Sequence, residues 1–187
     1  MKKKMTVIFP GIGYHTDKPL LYYSAKLAAS YGYEIVRIGY PACDVNLKEA
    51  TSGQVRAFVD ECRNTVRKSL KDTVFHEADD ILFISKSIGT AIAAAYAGTI
   101  DRNVRHVYFT PLEDTFFYTA KKSGIAFNGT RDPWADHVRV GELCAGGDIP
   151  LTTFEGANHS LETGDALKDI DNLRTVMKAV DGFIGGS

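Results

Sequence analysis

Cysteine is scarce in this chain. Cys43, Cys62 and Cys144 are odd in number and none stands in C-x-x-C spacing, so neither a disulfide framework nor a zinc site is indicated. Long apolar runs are missing as well: no stretch approaches the ~20 apolar residues that span a bilayer. The opening MKKKMTVIFPG has the charge of a signal peptide, but Pro10 and Gly11 cut its apolar part short. Beyond Lys2, Lys3 and Lys4 the basic residues are scattered, and a formal net charge of −1 leaves no electrostatic footprint for nucleic acid. Repeats, low-complexity segments and linkers are absent too. What is present is one 187-residue stretch, 44% hydrophobic and 24% charged, long enough to bury a core. A single domain over 1–187 is expected, in a reducing cytoplasm, without membrane or nucleic-acid partners.

Along that stretch, β-prone and helical patterns alternate. Strands are predicted over 6–9, 34–40, 81–85, 104–109, 125–128 and 151–154, with Pro41 and Pro111 closing the second and fourth. Helical spacing over 18–31 puts Leu20, Tyr23 or Ser24, Leu27 and Ala28 on one stripe, with Gly32 as the stop. After a loop to about Leu47, residues 54–70 repeat apolar side chains at Val55, Phe58, Val59, Cys62 and Val66. Further helices are expected over 88–97 and 112–122, the latter with Phe116, Phe117 and Tyr118, and a turn or two over 138–144. The last, over 161–184, has room for an early break and turns Leu173, Val176, Met177 and Val180 inward. Such alternation implies right-handed βαβ units. The expected fold is therefore α/β, a three-layer α/β/α sandwich around a mostly parallel six-stranded sheet.

The most informative stretch is ILFISKSIGTAIAAAYA, residues 81–97, where a buried strand meets an alanine-rich helix at Ser87. So sharp a corner strains the backbone of Ser87 and leaves space only for small residues two positions away on either side. Ser85 and Gly89 are small, giving S-x-S-x-G, a variant of the G-x-S-x-G nucleophile elbow. A βα turn with an N-capping serine is the plainer reading of the same residues. In a parallel sheet, chemistry gathers beyond the carboxyl ends of the strands, and three other ends carry suitable groups. Gly11-Ile12-Gly13 lets backbone N–H groups approach a ligand, yet fits neither the dinucleotide nor the Walker pattern, which leaves an oxyanion hole as the better reading. Gly129-Thr130-Arg131-Asp132-Pro133 holds an aspartate that otherwise opens a turn before proline. Gly156-Ala157-Asn158-His159-Ser160 holds a histidine that otherwise is merely solvated. A serine nucleophile needs a base, and that base needs a carboxylate to fix its tautomer; here they follow in the order Ser, Asp, His.

At this point the chain resembles the α/β-hydrolase family, through PGIGY, SKSIGT, NGTRDP and EGANHS, over residues 6–187. The resemblance implies Ser87 as nucleophile, His159 as general base and then acid, and Asp132 as its orienting partner. The backbone N–H groups of Ile12 and Ile88 would form the oxyanion hole, and strand order would be 2-1-3-4-5-6. Two departures stand out. The chain opens at the strand before the oxyanion loop, and residues 110–124 are too few for a cap domain. A small, cap-less serine hydrolase with an open site is expected, cleaving a carboxylic ester or thioester through an acyl-enzyme on Ser87, without cofactor or metal. Its partner would be a small-molecule ester. A non-catalytic binding domain and an acyltransferase with the same triad are the alternatives. Dienelactone hydrolases are similarly small, but their elbow carries cysteine where Ser87 stands.

Other residues have competing roles on the same grounds. Asp136 rivals Asp132 as the acid. Tyr14, His15 and Trp134 are candidate substrate contacts, and the cluster from Phe116 to Tyr118 either walls an acyl pocket or belongs to the core. His76, His106 and His137 lack metal-ligand spacing. Lys86 lies inside the elbow, but with His159 present a Ser-Lys mechanism is not expected.

Overall fold

In the computed structural model, residues 2–40 and 49–186 are described; Pro41, Cys43 and the loop to Leu47 lie outside the described residues. Among those described, a six-stranded sheet runs in the order β2-β1-β3-β4-β5-β6, and every neighbouring pair is parallel. The strands are β1 (Lys4–Phe9), β2 (Tyr33–Arg37), β3 (Asp80–Lys86), β4 (Arg105–Phe109), β5 (Gly124–Gly129) and β6 (Leu151–Phe154). β1 and β3 lie centrally and are apolar on both faces, which is why their sequences run apolar without alternation.

Helices cover both faces. α1 (Pro19–Ser30) and α5 (Ala166–Gly185) pack with Ile8, Leu82, Ile84 and Phe109 on one side. On the other, α2 (Ser52–Ser69) and α3 (Ile88–Ala97) pack with Val7, Phe9, Ile81 and Phe83. α4 (His137–Gly146) completes that layer beside Tyr108 and Ala126. Local residues account for where four of these helices begin or end. Proline occupies the first turn of α1, where no N–H is needed, and Gly32 takes φ 82 just past its end. Thr51 and Gln54 form a capping box before α2, whose stripe of Val55, Phe58, Val59, Cys62 and Val66 is buried throughout. The carboxylates of Asp136 and Asp165 cap α4 and α5.

One expectation needs correction and two gain their bounds. The helix expected over 112–122 is only a 3-10 turn, Glu113–Phe117. Thr115 is buried and shares a 2.6 Å hydrogen bond with Thr90 of α3, while Lys122 at φ 56 turns the chain away; this tertiary anchor overrides the helical spacing. The segment over 138–144 is longer than expected because Asp136 nucleates it. The last helix begins at Ala166 rather than 161, since Leu161 (φ 62) and Gly164 (φ 92) adopt left-handed backbone that no helix accommodates.

The topology reverses between β1 and β3. Connections leave these two strands in opposite directions, and a crevice opens at their carboxyl ends. Gly89, at the start of α3, makes this contact possible: a Cβ there would lie 2.2 Å from the carbonyl oxygen of Pro10 and 2.6 Å from that of Phe9. Gly89→Ala should therefore cost about 2–3 kcal/mol, a fall in Tm of roughly 5–10 °C. Gly182→Ala, in the exposed interior of α5 with open space around it, should instead stabilise by about 1 kcal/mol. Thermal unfolding of the two variants checks both signs.

Candidate active site

The corner between β3 and α3 is as sharp as its composition suggests. Ser87 sits at φ 56 and ψ −130, a conformation costly for a non-glycine residue. Three contacts hold it: its N–H donates to Phe109 O at 2.9 Å, and its carbonyl accepts from the N–H and the hydroxyl of Thr90. Ser85, where the usual motif has glycine, is fully buried and donates its hydroxyl to Val107 O at 3.1 Å. Serine is thus tolerated because its one polar atom finds a partner in the neighbouring strand.

His159 reaches this corner from the loop after β6. Its Nε2 lies 2.7 Å from Ser87 Oγ and its Nδ1 2.7 Å from Asp132 Oδ2. A carboxylate only accepts, so the ring proton belongs on Nδ1 and the serine hydroxyl donates to Nε2. The other Asp132 oxygen accepts from the Trp134 N–H at 2.8 Å. The two loops are stitched together: Arg131 N donates to Ala157 O at 2.9 Å, and Gly156 N to Thr130 Oγ1 at 2.8 Å. Gly129 lies so close that an added Cβ would stand 2.2 Å from Ala157 O. Asn158 braces the histidine loop from within, accepting from the N–H groups of Ser160 and Glu162. Thr110, at the end of β4, donates its hydroxyl to the His159 carbonyl at 3.1 Å.

The first loop closes on itself through reciprocal bonds between Gly11 and Tyr14, with Gly13 at φ 73. A Cβ on Gly11 would meet Ser87 Cβ at 3.1 Å, so this turn lies directly against the elbow. Among the described residues, the N–H groups of Ile12 and Ile88 donate to no carbonyl. Ile88 is the first residue of α3, where an N–H lacks an intrahelical acceptor.

Ser87 and His159 open onto a cleft of about 290 Å³ lined also by Ile12, Tyr14, Lys18, Lys86, Leu112 and Trp134. Trp134 stands with its ring 5.8 Å from that of His159. Tyr14 lines the cleft while 7% exposed, its hydroxyl accepting from Leu20 N. His15 is not brought in: the turn at Gly13 sends its side chain outward beside Asp17. Asp136 is likewise elsewhere, capping α4 through Val138 N and Arg139 N. The aromatic cluster is also remote, with Phe117 exposed beneath Arg56 and Phe116 and Tyr118 packed near α4. His106 is buried in β4 against Tyr108, and burial takes its imidazole down to about 3. Sequence reasoning missed Thr110, Leu112 and Lys18 as site neighbours. For Lys86 a signal existed, a charged residue at the last position of a buried strand.

No protein-family model and no curated protein matches the sequence. Solved structures do match. An α/β serine hydrolase without a lid from Xanthomonas campestris superposes with a TM-score of 0.66 at 13% identity, over 96% of this chain and 82% of that one. Est1E from Butyrivibrio proteoclasticus, solved with ferulic acid bound, gives 0.70 at 11% identity, over 98% and 88%. Esterase PE8 gives 0.71 at 15% identity, over 97% and 93%. This chain has the α/β-hydrolase fold. Within that fold, Ser87 stands at the corner between β3 and α3, and the loops after β5 and β6 bring Asp132 and His159 to it. Among the described residues, no helix is long and apolar enough to cross a membrane.

Burial is the main influence on His159, lowering its imidazole below the ordinary 6.5; the Asp132 hydrogen bond opposes this, and the Lys86 ammonium adds to it. Neutral imidazole, able to accept a proton, thus persists to lower pH than in an exposed histidine. The His159 ring resonances should titrate with a midpoint below 6.5, and Lys86→Met should move that midpoint upward by removing a repelling charge. An NMR titration reads both, and a wild-type midpoint above 6.5 contradicts the account.

Proposed function

We propose that this chain is a serine hydrolase that cleaves a carboxylic ester or thioester. The observation that carries the reading is the unbroken relay from Ser87 Oγ to His159 Nε2 and from His159 Nδ1 to Asp132, each contact 2.7 Å. In this reaction Ser87 Oγ attacks the carbonyl carbon as its proton passes to His159 Nε2. The carbonyl oxygen, now negative, is stabilised by the N–H groups of Ile12 and Ile88, the latter at the positive end of α3. Collapse expels the alcohol or thiol, which takes the proton from His159. Water then attacks the acyl-enzyme by the same steps in reverse order, and Ser87 is regenerated. Asp132 holds the imidazole in the tautomer both halves require and needs no proton of its own.

Several features support this reading over a purely binding role. The strained backbone at Ser87 has no use in an N-capping turn, since its side chain makes no cap bond to α3. Among the described residues, the N–H groups of Ile12 and Ile88 are left without carbonyl acceptors. The domain is read as single and without a cap: residues 110–123 carry only the 3-10 turn Glu113–Phe117. Esterases and serine hydrolases are among the solved structures it resembles. Scarcity of cysteine supports a cytoplasmic setting.

Treatment with a fluorophosphonate should add one covalent adduct to the wild type and none to Ser87→Ala. Hydrolysis of p-nitrophenyl acetate or butyrate should fall about 10⁶-fold in Ser87→Ala at the limit, and about 10⁴-fold in Asp132→Asn, which leaves the imidazole in the wrong tautomer. A folded wild type that takes no adduct and turns over no ester would return the domain to the binding reading.

A further inference from the structure

The hydrolase reading leaves one group in the cleft without a task. Lys86, the last residue of β3, is only 1% exposed, yet it lines the cleft beside Ser87. Its ammonium lies 5.0 Å from the ring centre of Tyr14. Among the described residues it forms no ion pair and no hydrogen bond to a side chain. The carboxylate that attracts it, Asp132, has its oxygens engaged by His159 and the Trp134 N–H. Lys18 also lines the cleft, its ammonium 5.4 Å from the centre of the same ring. Neither aspartate nor glutamate lines this cleft among the described residues.

Two cations thus converge on one aromatic ring, one of them almost wholly buried, and among the described residues no carboxylate lines the cleft to offset them, Asp132 acting on Lys86 only from behind. A buried charge lacking such a partner is expensive, and a ring face compensates only in part. Tyr14 contributes no negative charge of its own, since burial raises its phenol to about 12. Burial also draws the Lys86 ammonium down to about 7, partly opposed by Asp132 and reinforced by Lys18. An anion bound here would reverse that shift and restore the full charge.

We infer that Lys86 and Lys18 form an anion subsite beside Ser87, so that the ester cleaved carries a carboxylate on its acyl or its alcohol portion. This rests on the hydrolase reading and narrows its substrate class. The carboxylate lies against Lys86, with Lys18 at the mouth and Tyr14 as the surface both lysines share. The scissile carbonyl then stands over Ser87, one residue along the chain from the anchoring ammonium.

The test compares matched esters of near-equal shape. On the acyl side, p-nitrophenyl hemisuccinate is set against p-nitrophenyl 4-methylpentanoate; on the alcohol side, 3-acetoxybenzoate against 3-acetoxybenzamide. The wild type should prefer the charged member of at least one pair, and Lys86→Met should lower that ratio of kcat/KM by about tenfold or more. Lys18→Met, at a half-buried position that tolerates change more readily, should lower it by less. A wild-type ratio at or below one in both pairs overturns the inference. So does a Lys86→Met variant that slows both members equally, which would make Lys86 only a support for Tyr14. Failure of the hydrolase reading shows separately, as a folded wild type without a fluorophosphonate adduct. In that event calorimetric titration of glutarate onto wild type, Lys86→Met and Lys18→Met still decides: saturable binding weakened in both variants upholds the anion subsite, and no binding to wild type overturns it.

Discussion

One backbone torsion governs the carboxyl end of this sheet. With Ser87 held at positive φ, the chain passes from β3 into α3 without an intervening loop. The serine side chain is then displayed at the edge of the cleft, and the Ile88 N–H is left at the start of a helix. Strain of this kind costs on the order of 1–3 kcal/mol, and it survives because neighbours over-determine it. Gly89 rests against the carbonyls of Phe9 and Pro10, and Gly11 against Ser87 itself. Thr90 and Phe109 hold the backbone groups of the serine. Relaxing the torsion would displace the loop after β1, and with it the Ile12 N–H.

Burial acts on the charges around that corner in a consistent direction. His159 and Lys86 are both pressed toward their neutral forms, and each ammonium or imidazolium makes the other less favourable. Asp132 opposes both shifts from behind the imidazole. For His159 the result is a ready proton acceptor. For Lys86 it is a cation whose charge depends on what occupies the cleft, so that site electrostatics and ligand charge are linked.

Much of this arrangement was legible in the sequence, because the elements that make it are local. The apolar run 81–84 followed by small residues specified a strand, a corner and a helix, and α3 spans the expected 88–97. The stripe of α2 likewise follows directly from its 3.6-residue period. The residues at four strand ends could be listed as candidates, since a parallel sheet brings such ends together. What escaped was non-local. Thr115 holds residues 112–122 short of a helix through a bond to Thr90, which no window of sequence contains. His15 and Asp136 were eligible by composition, but a left-handed glycine turns one outward and the other spends its carboxylate on a helix cap. Lys86 is visible in the sequence only as a charge at the end of a buried strand; the Tyr14 ring that it lies against belongs to the loop after β1.

The stitching between the loops after β5 and β6 has a mechanical consequence. Asp132 and His159 ride on a single plate, joined through Thr130, Arg131, Gly156 and Ala157, whereas Ser87 belongs to the plate built on β1 and β3. The carboxylate–imidazole contact is therefore braced by bonds between its own two loops, whereas the serine–imidazole contact spans the sheet from β3 to the loop after β6. Thr110, anchored at the end of β4 and grasping the His159 carbonyl, is the rivet across that seam.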